Sequence, residues 1–347
     1  MTNINVESCQ SLLAWMTENV KKIVILTHAN PDGDALGSSL GLNCVLQQAG
    51  FQTTVIYPTE FPLLVPGMKD YRDWMVYEQN EKEAGRIMEE ADLLFFLDFN
   101  DLKRVGKVKK RLEKLSKEVV LIDHHPQPMI NTPYLFSDIK ASSTAELVYD
   151  FVVKMGWSDF LDPSGATALL TGIIADTASF SHNARRSELY RAVSELIAKG
   201  ADQLKIQKSL FNTNSADRLR LLGFALSEKM VIFPQYHAAY ISLTREELKR
   251  FNFKIGDTEG FVNYPLSIEG IVFSTFFMEN EEKIKISFRS TGSFAANEFS
   301  ALHFGGGGHH NAAGGESRQS LKEAVDKWIA LLPQYSADLE KESKKES

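Results

Sequence analysis

The sequence is poor in cysteine, with two in 347 residues, at Cys9 and Cys44. Two such distant thiols form neither a disulfide framework nor a metal-binding pair, so we expect a reducing compartment. No apolar run approaches the length of a membrane-spanning helix. The first ten residues also lack a basic segment followed by an apolar core, as a secretory signal would have. These absences predict a cytoplasmic protein with no membrane association.

Basic residues are also in deficit. The chain has 38 Lys and Arg against 45 Asp and Glu, which gives a net charge of −7. This balance excludes the overall basic field of a protein that binds long duplexes. Short anionic ligands remain open, because a local basic site or a metal ion can hold them. The composition, with 44% hydrophobic and 24% charged residues, is that of an ordinary soluble protein, and the length predicts two domains.

Hydrophobic patterning divides the chain into four parts. In residues 1–186, strand patterns alternate with helical ones, which predicts an α/β domain built on a doubly wound parallel sheet. Residues 187–227 predict a helical connector, and residues 228–335 a smaller α+β domain. Residues 336–347 are charged and predict a disordered tail. Within the first domain, residues 102–117 predict one basic amphipathic helix.

The strongest local signal is Asp123-His124-His125, which follows an apolar run over residues 119–122 and precedes Pro126. The run predicts a buried parallel strand. Burying three ionisable groups at its end without partners would be costly, and a divalent metal ion removes that cost. The alternative is a turn that carries two solvated histidines.

Further acidic residues and histidines occur where other predicted strands and helices end. They are His28, Asp32 and Asp34 in one loop, Asp98 after the strand 93–97, and Asp176 after the apolar segment 168–175. Because the carboxyl ends of parallel strands lie side by side, we expect these groups to converge. These groups are too many to be the ligands of one tetrahedral zinc ion, and their number suits two metal ions. The mixture of carboxylates and imidazoles suits Mn²⁺ best, with Mg²⁺ or Co²⁺ as substitutes. Two such ions with a bridging hydroxide serve displacement at phosphorus.

Each of these residues also has an ordinary structural explanation. Asp32 and Asp34 flank Gly33 in a turn-like context, and Asp98 and Asp176 could be helix caps. Any one of these explanations competes with the metal site when the residue is taken alone. Together, the positions of all four groups at element ends favour the metal site.

A second segment of interest lies at residues 305–315, where six of eleven residues are glycine. We expect a loop that presents N–H groups to phosphate oxygens, with His309 and His310 as further donors. Arg289 follows a predicted strand over 284–288 and suits bidentate phosphate contact. The alternatives are a flexible linker, or a zinc site that no cysteine or carboxylate cluster supports.

With these motifs in view, residues 15–335 resemble the DHH/DHHA1 phosphoesterase family. The segment 28–38, then Asp98, Asp123-His124-His125 and Asp176 are similar to its metal motifs, and residues 305–315 to its DHHA1 signature. Within the family, the chain most resembles the bifunctional oligoribonucleases and 3′-phosphoadenosine-5′-phosphate (pAp) phosphatases. The resemblance implies hydrolysis of short RNA or DNA oligonucleotides, including dinucleotides such as pApA and pGpG, or of pAp to AMP, by metal-activated hydroxide.

The resemblance also implies residue roles. One Mn²⁺ would be held by His28 and Asp32, the other by Asp34, His124 and Asp176, with Asp98 as the bridge. The implied catalytic residues are Asp98, Asp123, His124 and His125. Substrate would be bound in a cleft between the domains by Ser142, Ser143, Arg289, Gly307, Gly308, His309 and His310. Phe99 departs from the small hydroxyl residue that members often have after the bridging Asp.

Other functions compatible with the same motifs are an inorganic pyrophosphatase, a single-strand-specific exonuclease and a non-catalytic nucleotide or RNA binder. A pyrophosphate site would need a denser basic cluster, an exonuclease usually carries a further domain, and a non-catalytic protein would lack metal ligands. The sequence does not rank pAp against oligonucleotides, nor does it fix cleavage polarity or oligomeric state, and a homodimer is compatible with it.

Overall fold

The computed structural model describes residues 4–61, 65–68, 71–212 and 214–346. It divides into two compact units, Met1–Thr213 and Asn214–Ser347, each with its own hydrophobic core. The division falls inside the segment 187–227 that we expected to be a connector. That segment is helical, as expected, in three helices.

The first unit is built on a six-stranded sheet in which every neighbouring pair is parallel, in the order β3-β2-β1-β4-β5-β6. The central strands are apolar runs buried on both faces, as parallel strands require. The strand order reverses between β1 and β4, so their carboxyl ends form the switch point where such sheets bind ligands. The strands are β1 Lys22–Leu26, β2 Gln52–Tyr57, β3 Trp74–Val76, β4 Leu93–Leu97, β5 Glu118–Asp123 and β6 Tyr134–Ser137.

Helices cover both faces of this sheet, which confirms the doubly wound architecture. They are α1 Val6–Asn19, α2 Gly33–Gln48, α3 Glu81–Glu90, α4 Lys109–Leu112, α5 Thr144–Lys154, α6 Pro163–Asp176, α7 Ser187–Ala198 and α8 Gln203–Phe211. Helices α2 and α6 pack backbone to backbone, because a Cβ atom on Gly37 would lie 2.5 Å from the carbonyl oxygen of Ala168 and from the nitrogen of Gly172. This close contact holds the first turn of α2 near the end of α6.

The second unit has a mixed six-stranded sheet in the order β11-β12-β10-β9-β8-β7. Strands β8 and β9 pair in parallel, and the other neighbours are antiparallel. An aromatic core around Phe273, Phe288 and Trp328 fills one face, which confirms a separate α+β domain. The elements are α9 Ala216–Phe224, β7 Met230–Phe233, β8 Ala238–Leu243, α10 Arg245–Arg250, β9 Phe273–Glu279, β10 Ile284–Ser290, α11 Ala296–Phe304, β11 Gly307–His309, β12 Ala312–Ser317 and α12 Leu321–Glu346.

The structure differs from the sequence-based expectation at the tail. Instead of a disordered segment from residue 336, helix α12 continues to Glu346. Leu339 is buried in the core of the second unit, and Glu342 accepts a hydrogen bond from the backbone N–H of Ser293 at 2.9 Å. The many charged residues in this segment favoured disorder in the sequence-based prediction. In the structure, Leu339 and Glu342 lie one turn apart on the same helix and both contact the second unit.

Two further expectations were wrong in detail. Residues 102–117 do not form one helix, since a 3₁₀ stretch over 102–108, kinked at Gly106 with φ 58°, is followed by the short α4. The glycine-rich segment is not an open loop but contributes β11 and β12, which turn at His310 and Asn311. Glycine is required there, since a Cβ atom on Gly306 would lie 1.8 Å from the carbonyl oxygen of Gly314. In the part of the chain that is described, no helix is long and apolar enough to cross a membrane.

Candidate metal centre

Three neighbouring strands of the first unit deliver the central groups of the site. His28 follows β1, Asp98 follows β4, and Asp123 is the last residue of β5, with His124 and His125 directly after it. Since β4 lies between β1 and β5, Asp98 is placed between the histidines of its two neighbours. The convergence expected from the sequence is therefore present, at the switch point of the sheet.

Asp98 is the geometric centre of the cluster. One carboxylate oxygen lies 3.3 Å from Nε2 of His28, and the other lies 3.7 Å from Nε2 of His124 and 3.7 Å from Nδ1 of His125. Its backbone has a φ of 65°, a left-handed conformation that is uncommon outside glycine. Such conformations concentrate at functional sites, where the surrounding structure holds them.

Asp32 serves both as a helix cap and as part of the cluster. Its Oδ1 accepts hydrogen bonds from the backbone N–H groups of Asp34 at 3.0 Å and Ala35 at 3.1 Å, which caps α2. Its other oxygen, Oδ2, lies 3.8 Å from Nε2 of His28. The sequence offered Asp32 as a turn residue or a metal ligand, whereas in the structure one of its oxygens caps the helix and the other faces the site.

Asp34 is buried in the first turn of α2 and is held by a different helix. Its carboxylate accepts hydrogen bonds from the backbone N–H groups of Thr144 at 2.7 Å and Ala145 at 2.9 Å, at the start of α5. Thr144 also donates from Oγ1 to Asp98 at 2.9 Å. The N-terminus of α5 therefore holds two carboxylates of the site, where the positive end of the helix dipole favours negative charge.

Potential ligand atoms fall into three groups, each within 4.8 Å, in the described part of the chain. Two of the groups bring together residues that the family resemblance implies as ligands, and the third joins Asp98 to the two histidines that follow β5. The groups are His28, Asp32 and Asp98; Asp34, His124 and Asp176; and Asp98, His124 and His125.

The rings of His28 and His124 are oriented by backbone carbonyl oxygens so that Nε2 faces the cluster. Nδ1 of His28 lies 2.9 Å from the carbonyl oxygen of Ala29, and Nδ1 of His124 lies 3.5 Å from that of Ala141. A carbonyl oxygen only accepts, so each Nδ1 carries a proton, and in the neutral form of each ring a bare Nε2 would face carboxylates. Nε2 of His28 is buried without a hydrogen-bond partner. A lone pair that faces a carboxylate requires a proton or a metal ion between them.

The pKa shifts have the same origin. Burial, followed by the neighbouring carboxylates, raises the pKa of Asp34 well above its usual range, and burial raises that of Asp176 to about 7 despite the opposing effect of His124. For His28, burial is outweighed by Asp98 and Asp32, which raise the pKa to about 9. For Asp98, burial is outweighed by the histidines, so its pKa is lowered. Two divalent ions would neutralise this cluster, and the donor set fits them.

His125 is oriented by its own strand. Its Nδ1 lies 2.7 Å from Oδ1 of Asp123, whose side chain is fully buried. A carboxylate accepts only, so Nδ1 donates to it and the ring is fixed in one tautomer. Asp123 thus contacts His125 rather than joining a ligand group, while His125 remains within reach of Asp98.

The sequence singled out Ser142 and Ser143, and the structure places both at the start of α5. Ser143 caps this helix by accepting from the N–H of Glu146 at 3.0 Å, and the hydroxyl of Ser142 is buried without a partner. Phe99 packs into the core at 5.2 Å from Phe96 between ring centroids. Asp101 caps the following turn by accepting from the N–H of Lys103 at 2.8 Å.

In the second unit, the expected substrate residues lie on the sheet. Arg289 is in β10, and its Nη1 donates to the carbonyl oxygen of Phe288 at 2.9 Å. Burial lowers the pKa of its guanidinium, and the negative charge of Glu259 opposes this shift. Gly307 and Gly308 belong to β11, and His310 is exposed at the turn that follows. The side chain of His309 lies outside the described part of the structure.

Several residues that hold the proposed metal ligands in place were not identified from the sequence. Thr144 is the clearest case, although its position after two serines at a helix start was visible. Glu146 and Arg186 are two others, and they form an ion pair at 2.9 Å behind the start of α5. Long-range contacts of this kind, between residues 40 or more positions apart, leave no local signal.

Comparison with known proteins places this architecture in a family. Residues 22–173 match the DHH family, N-terminal domain, and residues 234–337 match the DHHA1 domain. A protein of Thermus thermophilus named bifunctional oligoribonuclease and PAP phosphatase NrnA is 32% identical over 84% of this chain and 83% of its own length. A Mycoplasma pneumoniae protein of the same name is 29% identical over 84% of this chain and 86% of its own length.

A solved structure agrees with these matches. The crystal structure of an exopolyphosphatase-related protein from Bacteroides fragilis has a TM-score of 0.94 and 39% identity, and covers 98% of this chain and 99% of that one. The names of these relatives are those of phosphoesterases, which confirms the expected enzyme class, a metal-dependent hydrolase. The chain belongs to the DHH family of phosphoesterases, with a C-terminal DHHA1 domain.

Proposed function

We propose that the protein is a Mn²⁺-dependent phosphoesterase that hydrolyses short oligonucleotides to mononucleotides and dephosphorylates pAp to AMP. The observation that carries this proposal is the pair of three-residue ligand groups joined through Asp98, which lies 3.3 Å from His28 and 3.7 Å from His124. The names of the relatives from Thermus thermophilus and Mycoplasma pneumoniae support the substrate class.

In this proposal, His28, Asp32 and Asp98 hold one ion, and Asp34, His124 and Asp176 hold the other, with Asp98 shared. The mixture of carboxylate and imidazole donors favours Mn²⁺, with Mg²⁺ or Co²⁺ as substitutes. When bound, two such ions supply a hydroxide at neutral pH and stabilise negative charge on the phosphoryl oxygens.

The side chains of the chain orient and position the reaction. Asp123 fixes the orientation of the His125 ring through Nδ1, and Nε2 of this ring, when it carries a proton, is proposed to donate to a phosphate oxygen of the substrate. Asp34 and Asp98 are held in place by the start of α5, so their oxygens keep a fixed geometry. Preorganised groups of this kind lower a barrier because they need no rearrangement during the reaction.

The second unit supplies the proposed contacts to the rest of the substrate. Burial lowers the pKa of the Arg289 guanidinium and the charge of Glu259 offsets this only in part, so a phosphate would add a bidentate anionic partner. The backbone of Gly307 and Gly308 and the side chains of His309 and His310 are proposed to contact the same end of the nucleotide, and Ser142 and Ser143 the scissile end.

The proposal is tested with a substrate panel on the Mn²⁺-loaded protein: pAp, pApA, pGpG, a long single strand and inorganic pyrophosphate. We expect the highest kcat/KM for pAp or a dinucleotide, and a decline with length, because the acidic chain lacks a basic track for further nucleotides. Equal kcat/KM for a dinucleotide and a long strand would contradict the length argument, and a preference for pyrophosphate would contradict the substrate class.

A further inference from the structure

The ion pair between Arg186 and Glu146 lies behind the proposed metal ligands and has no role in the site described so far. Nη2 of Arg186 lies 2.9 Å from Oε1 of Glu146, and Nη1 lies 4.0 Å from Oδ2 of Asp138. Glu146 is almost fully buried, at 1% exposure, while Arg186 is partly exposed. A carboxylate at this depth is costly unless it is paired, and Arg186 supplies the pairing charge.

Glu146 uses its second oxygen to hold the segment that precedes α5. Its Oε2 accepts a hydrogen bond from the backbone N–H of Ser142 at 2.7 Å, and its own N–H donates to Oγ of Ser143 at 3.0 Å. Asp138 fixes the other end of this segment, because its carbonyl oxygen accepts from the N–H of Ala141 at 3.0 Å. Arg186 therefore ties together the two acidic residues that bracket residues 138–146.

This same segment makes the supporting contacts to three proposed ligands. The backbone N–H groups of Thr144 and Ala145 bind Asp34, and the hydroxyl of Thr144 binds Asp98. The carbonyl oxygen of Ala141 faces Nδ1 of His124 at 3.5 Å. A displacement of the segment would thus move one ligand of the first group and two of the second.

We propose that Arg186 is a positioning residue for the metal centre, acting through Glu146 on the segment 138–146. It contacts neither metal nor substrate in this account. Replacing a residue that supports metal ligands typically changes metal affinity by roughly 10- to 100-fold, and we expect an effect of this kind for Arg186. The inference rests on the proposed two-metal function.

The test is Mn²⁺ binding by isothermal titration calorimetry, combined with the melting temperature of the metal-free protein. Arg186→Gln removes the charge, Arg186→Lys retains it, and Arg185→Gln is the matched control, since Arg185 is an exposed neighbour. We expect Arg186→Gln to weaken Mn²⁺ binding by about 10- to 100-fold. Arg186→Lys should recover part of the affinity, and Arg185→Gln should bind as the wild type does.

A double-mutant cycle separates positioning from general destabilisation. Glu146→Gln keeps an acceptor for the N–H of Ser142 but removes the charge that Arg186 pairs with. If Arg186 acts only through Glu146, the double variant Glu146→Gln/Arg186→Gln should weaken Mn²⁺ binding no more than Arg186→Gln alone. In the metal-loaded variants, kcat for pAp should fall more than KM rises, because the ligands move while the substrate residues of the second unit are unchanged.

The outcomes are distinguishable. If the wild type binds two Mn²⁺ and Arg186→Gln binds them with equal affinity, the inference is overturned even if the melting temperature falls, and the proposed function stands. If the wild type itself binds no Mn²⁺, the proposed function fails, and this inference fails with it. If Arg186→Gln does not fold, the comparison of Arg186→Lys with Arg185→Gln decides, and equal affinities in that pair overturn the inference.

Discussion

The hydroxyl of Thr144 donates a hydrogen bond of 2.9 Å to Oδ1 of Asp98, across 46 positions of sequence. The backbone N–H of the same residue binds Asp34 at 2.7 Å. One residue at the start of α5 thus touches the shared carboxylate and a carboxylate of the second ligand group. This arrangement couples the two halves of the site through a single threonine.

Replacing Thr144 with valine should therefore weaken metal binding without unfolding the protein. The substitution keeps the shape and the backbone contact to Asp34 but removes the donor to Asp98. We expect Mn²⁺ affinity to fall by about 10-fold, as for other residues that support metal ligands. Calorimetric titration measures it, and Thr144→Ser, which keeps the hydroxyl, is the control. Unchanged affinity in the valine variant would show that this hydrogen bond does not matter.

Asp98→Asn should abolish most activity while the fold survives. Asparagine has the same size and can still accept from Thr144, but it lacks the charge that two ions would share. We expect kcat for pAp to fall by at least about 10²–10³-fold, the usual effect of losing one charge-stabilising group. Asp101→Asn is the matched control, because Asp101 caps the next turn and lies outside the ligand groups of the described residues. Near-normal turnover in Asp98→Asn, or a comparable loss in Asp101→Asn, would remove Asp98 from its assigned role.

Metal binding should release protons at neutral pH. In the metal-free protein the pKa of His28 is raised to about 9 and that of Asp176 to about 7, so near pH 7 the first is protonated and the second partly so. A metal ion requires the neutral imidazole and the ionised carboxylate. Mn²⁺ affinity should therefore decrease as the pH falls below about 9, by up to about tenfold per pH unit for each proton released.

Calorimetry in buffers with different ionisation enthalpies counts these protons. The wild type should release at least one proton at about pH 7, and His28→Asn should release about one fewer, although it binds more weakly. A Mn²⁺ affinity that stays constant between about pH 6 and pH 9 would contradict the protonation states assigned to the cluster.

Arg289→Met should impair substrate binding and leave the metal in place. The guanidinium is proposed to contact a phosphate, and the loss of a hydrogen bond to a charged group costs about 1.5–3 kcal/mol, or roughly 10- to 100-fold in kcat/KM. Most of this loss should appear in KM for pAp. Lys285→Met, at an exposed position on the same strand, is the control. Loss of Mn²⁺ from the Arg289 variant would show that the role assigned to this residue, substrate binding, is wrong.

Gly37→Ala should destabilise the first unit, because a Cβ atom there would lie 2.5 Å from the backbone of α6. Overpacking of this kind costs about 1–3 kcal/mol, and the displaced α2 carries Asp34. The melting temperature should fall. Gly223→Ala is the control, since its Cβ would meet nothing within 4 Å, and alanine in a helix should be neutral or stabilising by up to about 1 kcal/mol. Equal melting temperatures for both variants would contradict the close packing of α2 on α6.

The sequence predicts where the candidate metal centre lies, because the groups at Asp98, Asp123 and Asp176 directly follow apolar runs. Asp98 after β4 and His124 after β5 are recognisable without any knowledge of strand order. The alternation of strands and helices predicts a parallel sheet, but the order of the strands, which brings these groups side by side, is known only from the structure. The supporting residues Thr144 and Arg186 are not recognisable, since their role depends on contacts between distant elements.

The expectations that were wrong share a physical cause. Glycine weakens strands in general, so the sequence around Gly307 favours a loop, yet β12 pairs with β10 through small residues that admit close backbones. Charge favours disorder after residue 336, yet the buried Leu339 anchors α12. The strands β3 and β6 were not predicted because they are only three and four residues long and lie at the sheet edges. In each case tertiary packing outweighs the local preference.

The central claim is that one ion binds to the group of His28, Asp32 and Asp98, and a second ion to the group of Asp34, His124 and Asp176, with Asp98 also bound to the second ion. Crystals grown with Mn²⁺ and measured at the manganese absorption edge test it most directly, because anomalous scattering locates each ion and identifies the element. The account predicts two peaks about 3.5–4 Å apart. One should be bound by His28 and Asp32, the other by Asp34, His124 and Asp176, with Asp98 between them. A single peak, or two peaks that Asp98 does not bridge, would contradict the account.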